Sequence, residues 1–295
     1  MGRVEYRELI CKSIINRVYG MPFQWSINPY RGCVHGCHYC YARGTHTYLD
    51  LGAGRDFSTI IFAKVNAPDV LYRELRRPAW HRDPVSLGSA TDPYQPAEAR
   101  FRITRRLLEV LADYGNPTSI VTKGTLILRD RDVLADLEQR AGCTVCFSVP
   151  TVDRAIWRAS EPGTAPPAQR LRAMAQLAAA GLHVGVLAMP ILPGLSDTPE
   201  RLDETVRAAV EHGASFLWPD LLHLGSLERD HYLSFLEREY PALLPLHQRL
   251  YPGKYPPRAV ATHLEATIAE LKARYGLVDR ERPERRPHQE QLPFT

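Results

Sequence analysis

The 295-residue sequence has no run of about 18 apolar residues, the length that a helix needs to cross a membrane. It also has no leader that is first charged and then apolar, so we expect neither secretion nor membrane spanning. Cysteine is scarce, with six residues in the chain, and such a content is not the disulfide framework of a small secreted protein. These absences favour the cytoplasm as the compartment.

Lysine is also rare, because only five of the 37 Lys and Arg residues are lysines. A lysine at the end of a predicted strand, such as Lys123, is therefore a candidate functional group. The net charge of +4 permits a nucleic-acid partner without requiring one. The chain length, with 44% hydrophobic residues, predicts one large α/β domain or one domain with an appendage.

Three of the six cysteines, Cys33, Cys37 and Cys40, form a CxxxCxxC motif. Three thiolates at this spacing can bind three irons of a [4Fe–4S] cluster and leave the fourth iron without a protein ligand, whereas ferredoxins supply four cysteines. The alternative is a structural zinc site with three cysteines and His35 or His38. Zinc ribbons usually pair two CxxC knuckles. The other CxxC of the sequence, Cys143 and Cys146, lies on a predicted strand whose alternation points the two side chains to opposite sides, so the motif favours the iron–sulfur cluster.

Strand-like segments alternate with helix-like segments after these cysteines. The predicted helices end at glycines such as Gly115 and Gly213, the residue that commonly follows a helix C-terminus. Repeated strand–helix units build a parallel sheet or a barrel. The predicted core strands lie near residues 25–28, 84–88, 119–122, 143–149, 183–189 and 216–222, an accessory strand near 59–65, and the helices between them near 97–114, 131–141, 167–180 and 199–212.

The cysteine spacing, with Tyr39 just before the last cysteine, resembles the signature of the radical S-adenosylmethionine (SAM) enzymes. The phrases NPYRGC, CHYCYAR, TDPYQPAE and VTKG resemble the spore photoproduct lyase-like group, over roughly residues 20–225. The resemblance implies an α/β fold, a partial (β/α)6 TIM-type barrel with a C-terminal helical extension. It also implies a [4Fe–4S] cluster, SAM that is cleaved reductively to a 5′-deoxyadenosyl radical, and a reducing partner such as flavodoxin or ferredoxin.

We divide the chain into an N-terminal extension (1–20), a radical SAM core (21–225), a C-terminal helical extension (226–279) and a disordered tail (280–295). The helical extension either caps the open side of the barrel or binds a partner. The tail has the sequence QEQLPF at residues 289–294, which resembles the peptides by which DNA-repair proteins bind bacterial sliding clamps. A sliding clamp is thus an expected partner.

In barrels of this kind the chemistry lies at the C-terminal ends of the strands. Thr91 and Asp92 follow the second core strand, and such residues either contact a ligand or cap the next helix. Lys123 either pairs with the SAM carboxylate or points to solvent. The resemblance implies that the residues contacting SAM are Tyr39, Ser89, Thr91, Asp92, Lys123, Ser148 and Pro190.

Spore photoproduct lyase abstracts hydrogen from a thymine dimer lesion and returns it through a cysteine and nearby tyrosines. Tyr39 and Tyr41 match those tyrosines and are the predicted catalytic residues. The donor cysteine does not match, because Ser89 stands in its place, or Ala90 if the register shifts, and a hydroxyl is a poorer hydrogen-atom donor than a thiol. Cys146 is either a substitute donor or a buried structural thiol.

The resemblance therefore predicts a relative of spore photoproduct lyase that acts on a nucleic-acid lesion or modified base, with DNA as a partner. Two alternatives remain open. One is a radical SAM enzyme that modifies a peptide or a small metabolite, although no cysteine cluster follows Cys146. The other is a non-enzymatic iron–sulfur or zinc protein that senses redox state or binds nucleic acid.

Overall fold

The computed structural model describes residues 4–280. The strands are β1 (Glu5–Leu9), β2 (Ile15–Arg17), β3 (Trp25–Ile27), β4 (Tyr30–Arg31), β5 (Ile60–Lys64), β6 (Val85–Leu87), β7 (Thr118–Thr122), β8 (Cys143–Ser148), β9 (His183–Ile191) and β10 (Leu217–Leu221). The helices are α1 (Asp56–Thr59), α2 (Ala67–Leu75), α3 (Ala97–Phe101), α4 (Ile103–Tyr114), α5 (Arg131–Arg140), α6 (Arg154–Ser160), α7 (Pro167–Ala179), α8 (Pro199–Glu211), α9 (Ser226–Glu239), α10 (Leu244–Leu250) and α11 (Arg258–Arg274). Short 3-10 helices cover Tyr41–Leu49, Thr125–Asp130 and Pro241–Leu243.

The main sheet has seven strands in the order β10-β9-β8-β7-β6-β3-β2. Six of them are parallel and follow one another in space as they do in the chain, and β2 pairs antiparallel with β3 at one edge. This is the partial (β/α)6 barrel, so the predicted fold class and the six core strands are confirmed. The C-terminal strand ends meet on one side, where the predicted site residues follow β6, β7 and β8.

The glycines after the helices have the backbone conformation that their position requires. Gly115 ends α4 with a φ of 59°, and Gly213 follows α8 with a φ of 78°. This left-handed conformation is strained for residues with a Cβ and easy for glycine. The chain can therefore turn from each helix directly into the next strand.

The prediction of one helix over residues 97–114 is wrong in one respect, because Arg102 divides it into α3 and α4 with a φ of 50°. The buried carboxylate of Glu98 accepts hydrogen bonds from the backbone N–H groups of Thr104 (2.9 Å) and Arg105 (3.3 Å). Glu98 thus caps the first turn of α4, which the sequence pattern gives no reason to expect. Helices α2 and α6 also lie outside the predicted set.

A second sheet has three strands in the order β1-β5-β4. The predicted accessory strand is β5, and β4 pairs antiparallel with it immediately before the first cysteine. Strand β1, from the N-terminal segment, pairs parallel with β5. This small sheet therefore holds the chain in place just before the cysteine motif.

The helices after residue 225 pack on two different parts of the molecule. Helix α11 packs against α8 and β10 through Leu264, Ile268 and Leu271. Helix α9 packs on the 3-10 helix that follows the cysteines. No helix within residues 4–280 is long and apolar enough to span a membrane. The predicted clamp-binding peptide at 289–294, with nearly all of the predicted tail, lies outside the described residues.

Candidate cofactor site at the strand ends

The cysteine loop, residues 32–40, brings three thiols into one region beside the strand ends. Cys33 and Cys37 are buried, and Cys40 packs against the apolar clusters that contain each of them. Burial raises the pKa of the Cys37 thiol, and the charges of Glu161 and of the two other cysteines raise it further. Ionised thiols at this position therefore require compensating positive charge.

Arg43 supplies positive charge and fixes the loop. Its guanidinium is buried and donates hydrogen bonds to the carbonyl oxygens of Cys37 (2.9 Å), Gly36 (2.6 Å) and Gly54 (2.8 Å). Its electrostatic interaction with all three cysteines is favourable when they are ionised. Arg43 thus holds the loop backbone and balances negative charge in the same place.

Thr91 and Gln95 hold the other side of the loop. The Thr91 hydroxyl donates to the Gly32 carbonyl oxygen at 2.7 Å and accepts a hydrogen bond from the Gln95 amide at 2.9 Å. The same amide donates to Gly32 at 3.0 Å, while the Gln95 side-chain oxygen accepts from the Val34 N–H at 3.0 Å. Thr91, predicted as a SAM contact, therefore has its hydroxyl proton directed at the cysteine loop.

Asp92 is also surrounded by donors from the protein. Its carboxylate accepts hydrogen bonds from the Thr122 hydroxyl (2.7 Å) and from the backbone N–H groups of Tyr94 (2.8 Å) and Lys123 (2.6 Å), and one oxygen lies 3.2 Å from His35 Nδ1. Burial raises the pKa of Asp92, but the charge of His35 and these hydrogen bonds outweigh it and lower the pKa to about 2. Asp92 thus ties the end of β7 to the cysteine loop.

Lys123 and Ser148 meet at the ends of β7 and β8. Lys123 Nζ donates to Ser148 Oγ at 2.8 Å, and the Ser148 hydroxyl donates to the Met189 carbonyl oxygen at 3.1 Å. The same ammonium lies 5.6 Å from the centre of the Tyr39 ring. The structure therefore brings together three predicted SAM residues from three different segments. Pro190, another of them, lies within β9 rather than after it and follows a cis peptide bond.

Tyr39 is buried, and its hydroxyl donates to the carboxylate of Glu161. Burial raises the pKa of Glu161, but the charge of Arg170 and then that of Lys123 outweigh it and lower the pKa. Arg170 forms a buried salt bridge with Glu161 and donates to the Ser148 carbonyl oxygen at 2.9 Å. Sequence reasoning missed this pair, since two charged residues on separate segments gave no local motif.

Tyr41 differs from Tyr39 because its ring is half exposed. Its hydroxyl donates to the Ser89 carbonyl oxygen, and Ser89 Oγ accepts a hydrogen bond from the Asn28 amide at 3.2 Å. Asn28 in turn accepts from the Ala90 N–H at 2.8 Å. Tyr41 and the position of the expected donor cysteine therefore lie side by side.

Cys146 faces the inside of the barrel, in a cluster with Leu187 and Phe216, whereas Cys143 lies in the main core. The two thiols are thus on opposite faces of β8, as the alternation of a strand predicts. Burial raises the pKa of Cys146 to about 12. The buried position fits a structural thiol beneath Ser148.

The two candidate zinc-binding histidines differ in their partners. His38 lies 3.0 Å from His231 and stacks on Phe235 with ring centres 4.5 Å apart, while His35 is beside Asp92 and also forms a hydrogen bond with Cys33. Among the described residues, no three His, Cys, Asp or Glu side chains converge on a single metal ion. A [4Fe–4S] cluster does not require three side chains to converge on one ion, because each cysteine binds a different iron.

Comparison with protein families finds a match to the Radical SAM superfamily over residues 27–209. An uncharacterized protein of Mycobacterium tuberculosis (strain ATCC 25618 / H37Rv) is 39% identical over 284 residues, which cover 95% of this chain and 84% of the relative. An uncharacterized protein of Methanocaldococcus jannaschii is 27% identical over 242 residues, which cover 81% of this chain and 85% of the relative.

Among solved structures, spore photoproduct lyase in complex with a dinucleoside spore photoproduct matches with a TM-score of 0.69 and 18% identity, over 92% of this chain and 79% of that one. A mutant of the same enzyme with bound AdoMet and the dinucleoside has the same TM-score, identity and coverage. At this identity the likeness concerns the fold.

Proposed function

The chain belongs to the radical SAM superfamily, and from that we propose that it binds a [4Fe–4S] cluster through Cys33, Cys37 and Cys40 and acts on a nucleic-acid lesion or modified base. Family membership makes it an enzyme, which removes the non-enzymatic alternative. The family also implies the cluster and SAM as cofactors. Neither cofactor selects the substrate, so the substrate class depends on other residues of this chain.

The observation that carries the proposal is the position of Lys123, which is bound to Ser148 and lies close enough to Cys37 and Cys40 to act on their charge. The thiols are the soft ligands that iron–sulfur clusters need, and the cations of Arg43 and Lys123 lie close enough to favour their ionised form. The donor set therefore fits a cluster bound by three cysteines. Three cysteines would leave one iron of the cluster open for SAM.

Lys123 is the proposed partner of the SAM carboxylate, because its ammonium is held at the strand ends by Ser148 rather than by an acidic side chain. Ser89 Oγ is the proposed acceptor for the SAM amino group. Thr91 and Asp92 act on SAM indirectly in this proposal, since their hydrogen bonds hold the cysteine loop and β7. Pro190 and the backbone at Tyr39 would pack on the adenine.

When bound and reduced, the cluster would supply the electron that cleaves SAM into methionine and a 5′-deoxyadenosyl radical, the species that takes a hydrogen atom from the substrate. The protein keeps water away from this region, because Cys37 and Tyr39 lie in one apolar cluster with Tyr232, Phe235 and Tyr251. The reduced state requires an electron donor, for which we propose flavodoxin or ferredoxin.

The two predicted catalytic tyrosines have different roles in the proposal. Tyr39 would be a positioning residue, because its hydroxyl is bound to Glu161. Tyr41 would be the catalytic tyrosine, since its ring is half exposed beside Ser89 at the mouth of the site. The substrate class is supported by the fold of spore photoproduct lyase, which binds a dinucleoside lesion, and by the four sequence phrases shared with that group.

Deuterium transfer tests the substrate class. The reconstituted and reduced enzyme is incubated with unlabelled SAM and with ultraviolet-damaged DNA that carries deuterium in the thymine methyl groups. We expect deuterium in 5′-deoxyadenosine, and none with the Cys37→Ala variant. Label from deuterated peptides, with none from damaged DNA or from oligonucleotides with modified bases, would contradict a nucleic-acid substrate.

A further inference from the structure

Four side chains form one row across the mouth of the barrel. Ser148 is in register with Leu187, and Leu187 with Trp218 on the edge strand β10. Lys123 follows Thr122, which is in register with Phe147, and so belongs to the same row. Residues at one register of neighbouring parallel strands face the same side of a sheet. Lys123 and Trp218 are thus three strand spacings apart, about 14 Å.

Trp218 forms a rigid aromatic surface at the far end of this row. One face of its indole stacks on Phe216, with ring centres 4.4 Å apart and planes at 25°. Phe216 is itself fixed, because it is fully buried and its ring lies over Gly185, where a Cβ would be 2.5 Å from the ring. Trp218 nevertheless remains 46% exposed. A large ring is therefore held in place with much of its surface open.

Further aromatic and charged groups follow β10 at the same edge of the sheet. His223 contacts the Tyr255 ring edge-on at 4.7 Å, and Lys254 Nζ lies 5.2 Å from the centre of that ring. The Leu224 N–H donates to the Lys254 carbonyl oxygen at 2.8 Å, which ties the two segments together. An acidic group, Asp220, lies 3.4 Å from His223. Lys254 therefore has its ammonium over an exposed ring.

We propose that Trp218 is the stacking platform for a base of the nucleic-acid substrate, in a single strand or extruded from a duplex, with Lys254 contacting a phosphate. Proteins usually bind unpaired nucleotides with aromatic rings that stack on the bases and with cations placed along the path of the backbone. A base stacked on Trp218 would face Lys123 and Ser148 across Leu187. This inference rests on the proposed function, since it assigns the residue that reads the substrate.

Equilibrium binding to the reconstituted enzyme tests the platform without requiring turnover. The probe is a fluorescent single-stranded oligonucleotide at fixed salt concentration, because phosphate contacts depend on salt. We expect Trp218→Ala to weaken binding by about 5- to 150-fold, the range for loss of base stacking, and Trp218→Phe to restore most of it. Tyr72→Ala is the matched control, because Tyr72 is 47% exposed on α2, and it should leave binding unchanged.

An oligonucleotide of the same length that lacks bases separates stacking from backbone contacts. Trp218→Ala should not affect its binding, whereas Lys254→Ala should weaken binding of both probes. Equal affinity of Trp218→Ala and the wild type for the base-containing strand would overturn the platform, and so would an equal loss for both probes. Failure of the proposed function has another signature in the wild type, namely deuterium in 5′-deoxyadenosine from labelled peptides and none from damaged DNA or modified oligonucleotides.

Discussion

Lys123 and Ser148 come from neighbouring strands, and their side chains meet because parallel strands end at the same edge of the sheet. The sequence predicts both from their position at the end of a strand-like segment. The structure adds the direction of each hydrogen bond, with Lys123 donating to Ser148 and Ser148 donating to Met189. The ammonium thus retains two donor hydrogens for a ligand.

Replacing Lys123 tests its proposed role in binding SAM. We predict that Lys123→Met weakens SAM binding by about 10- to 100-fold, because a hydrogen bond to a charged group is lost. Ser148→Ala should weaken it less, by about 2- to 10-fold, since only the group that orients Lys123 is removed. Equilibrium dialysis with the reconstituted protein measures both. Lys12→Met, at an exposed position, is the control, and an affinity unchanged in Lys123→Met would contradict the assignment.

Lys64 in β5 predicts a pH dependence of stability. It is buried, and burial lowers its pKa from 10.5 to about 8. The unfolded chain therefore binds more protons between these values, so the contribution of Lys64 to stability rises with pH in that window. Below pH 8 the charged side chain destabilises the fold by about 3 kcal/mol at most.

We predict that Lys64→Met raises the free energy of unfolding at pH 7 and that this gain shrinks by about pH 9.5. Urea denaturation of wild type and variant at the two pH values gives the difference in their free energies of unfolding. The contributions of the other titrating groups largely cancel, because both proteins contain them. The same gain at both pH values would show that Lys64 keeps its ordinary pKa in the folded protein.

At the scale of the elements, the cysteine loop is held by the residues just after it and by two segments that are distant in the sequence. Arg43, Gln95 and Gly163 each bind or contact its backbone. Gly163 follows α6, and its N–H donates to the His35 carbonyl oxygen at 3.0 Å. A Cβ at this position would lie 2.4 Å from the Val34 carbonyl oxygen, so only glycine allows this close approach.

We predict that Gly163→Ala destabilises the protein by about 1–3 kcal/mol, as overpacking does, and that it lowers iron and sulfide content after anaerobic reconstitution. The cause is displacement of the loop that carries the cysteines. Gly253→Ala is the matched control, because a Cβ there meets no atom within 4 Å. Full iron content in Gly163→Ala would mean that the loop tolerates the shift.

The order of the core elements could be predicted from the sequence because it depends on local signals. Strand alternation and the glycines after the helices act over a few residues. The contacts of the site could not be predicted in the same way. The Glu161–Arg170 pair and the hydrogen bonds of Thr91 join residues that meet only in the folded chain, and the break at Arg102 depends on the buried carboxylate of Glu98.

For the whole molecule, the helices after residue 225 complete the site as well as the fold. Phe235 of α9 is buried and stacks on His38 of the cysteine loop. It belongs to the same apolar cluster as Cys37 and Tyr39. Helix α9 therefore covers part of the cysteine loop.

We predict that Phe235→Ala lowers the free energy of unfolding by about 3–5 kcal/mol, the usual cost of removing a buried phenylalanine. It should also accelerate iron loss in air, because water and oxygen gain access to the cysteines. Phe235→Leu should lose less stability. Urea denaturation and iron release followed by absorbance give the two readouts, and an unchanged free energy for Phe235→Ala would contradict the covering role.

The most direct measurement is the yield of 5′-deoxyadenosine when the anaerobically reconstituted and reduced protein is mixed with SAM. If Cys33, Cys37 and Cys40 bind a cluster with one open iron, the wild type forms 5′-deoxyadenosine, Cys37→Ala forms none, and Cys11→Ala forms as much as the wild type. A colourless wild-type protein that binds one zinc, takes up no iron and forms no more 5′-deoxyadenosine than Cys37→Ala would contradict the cluster and the radical chemistry together.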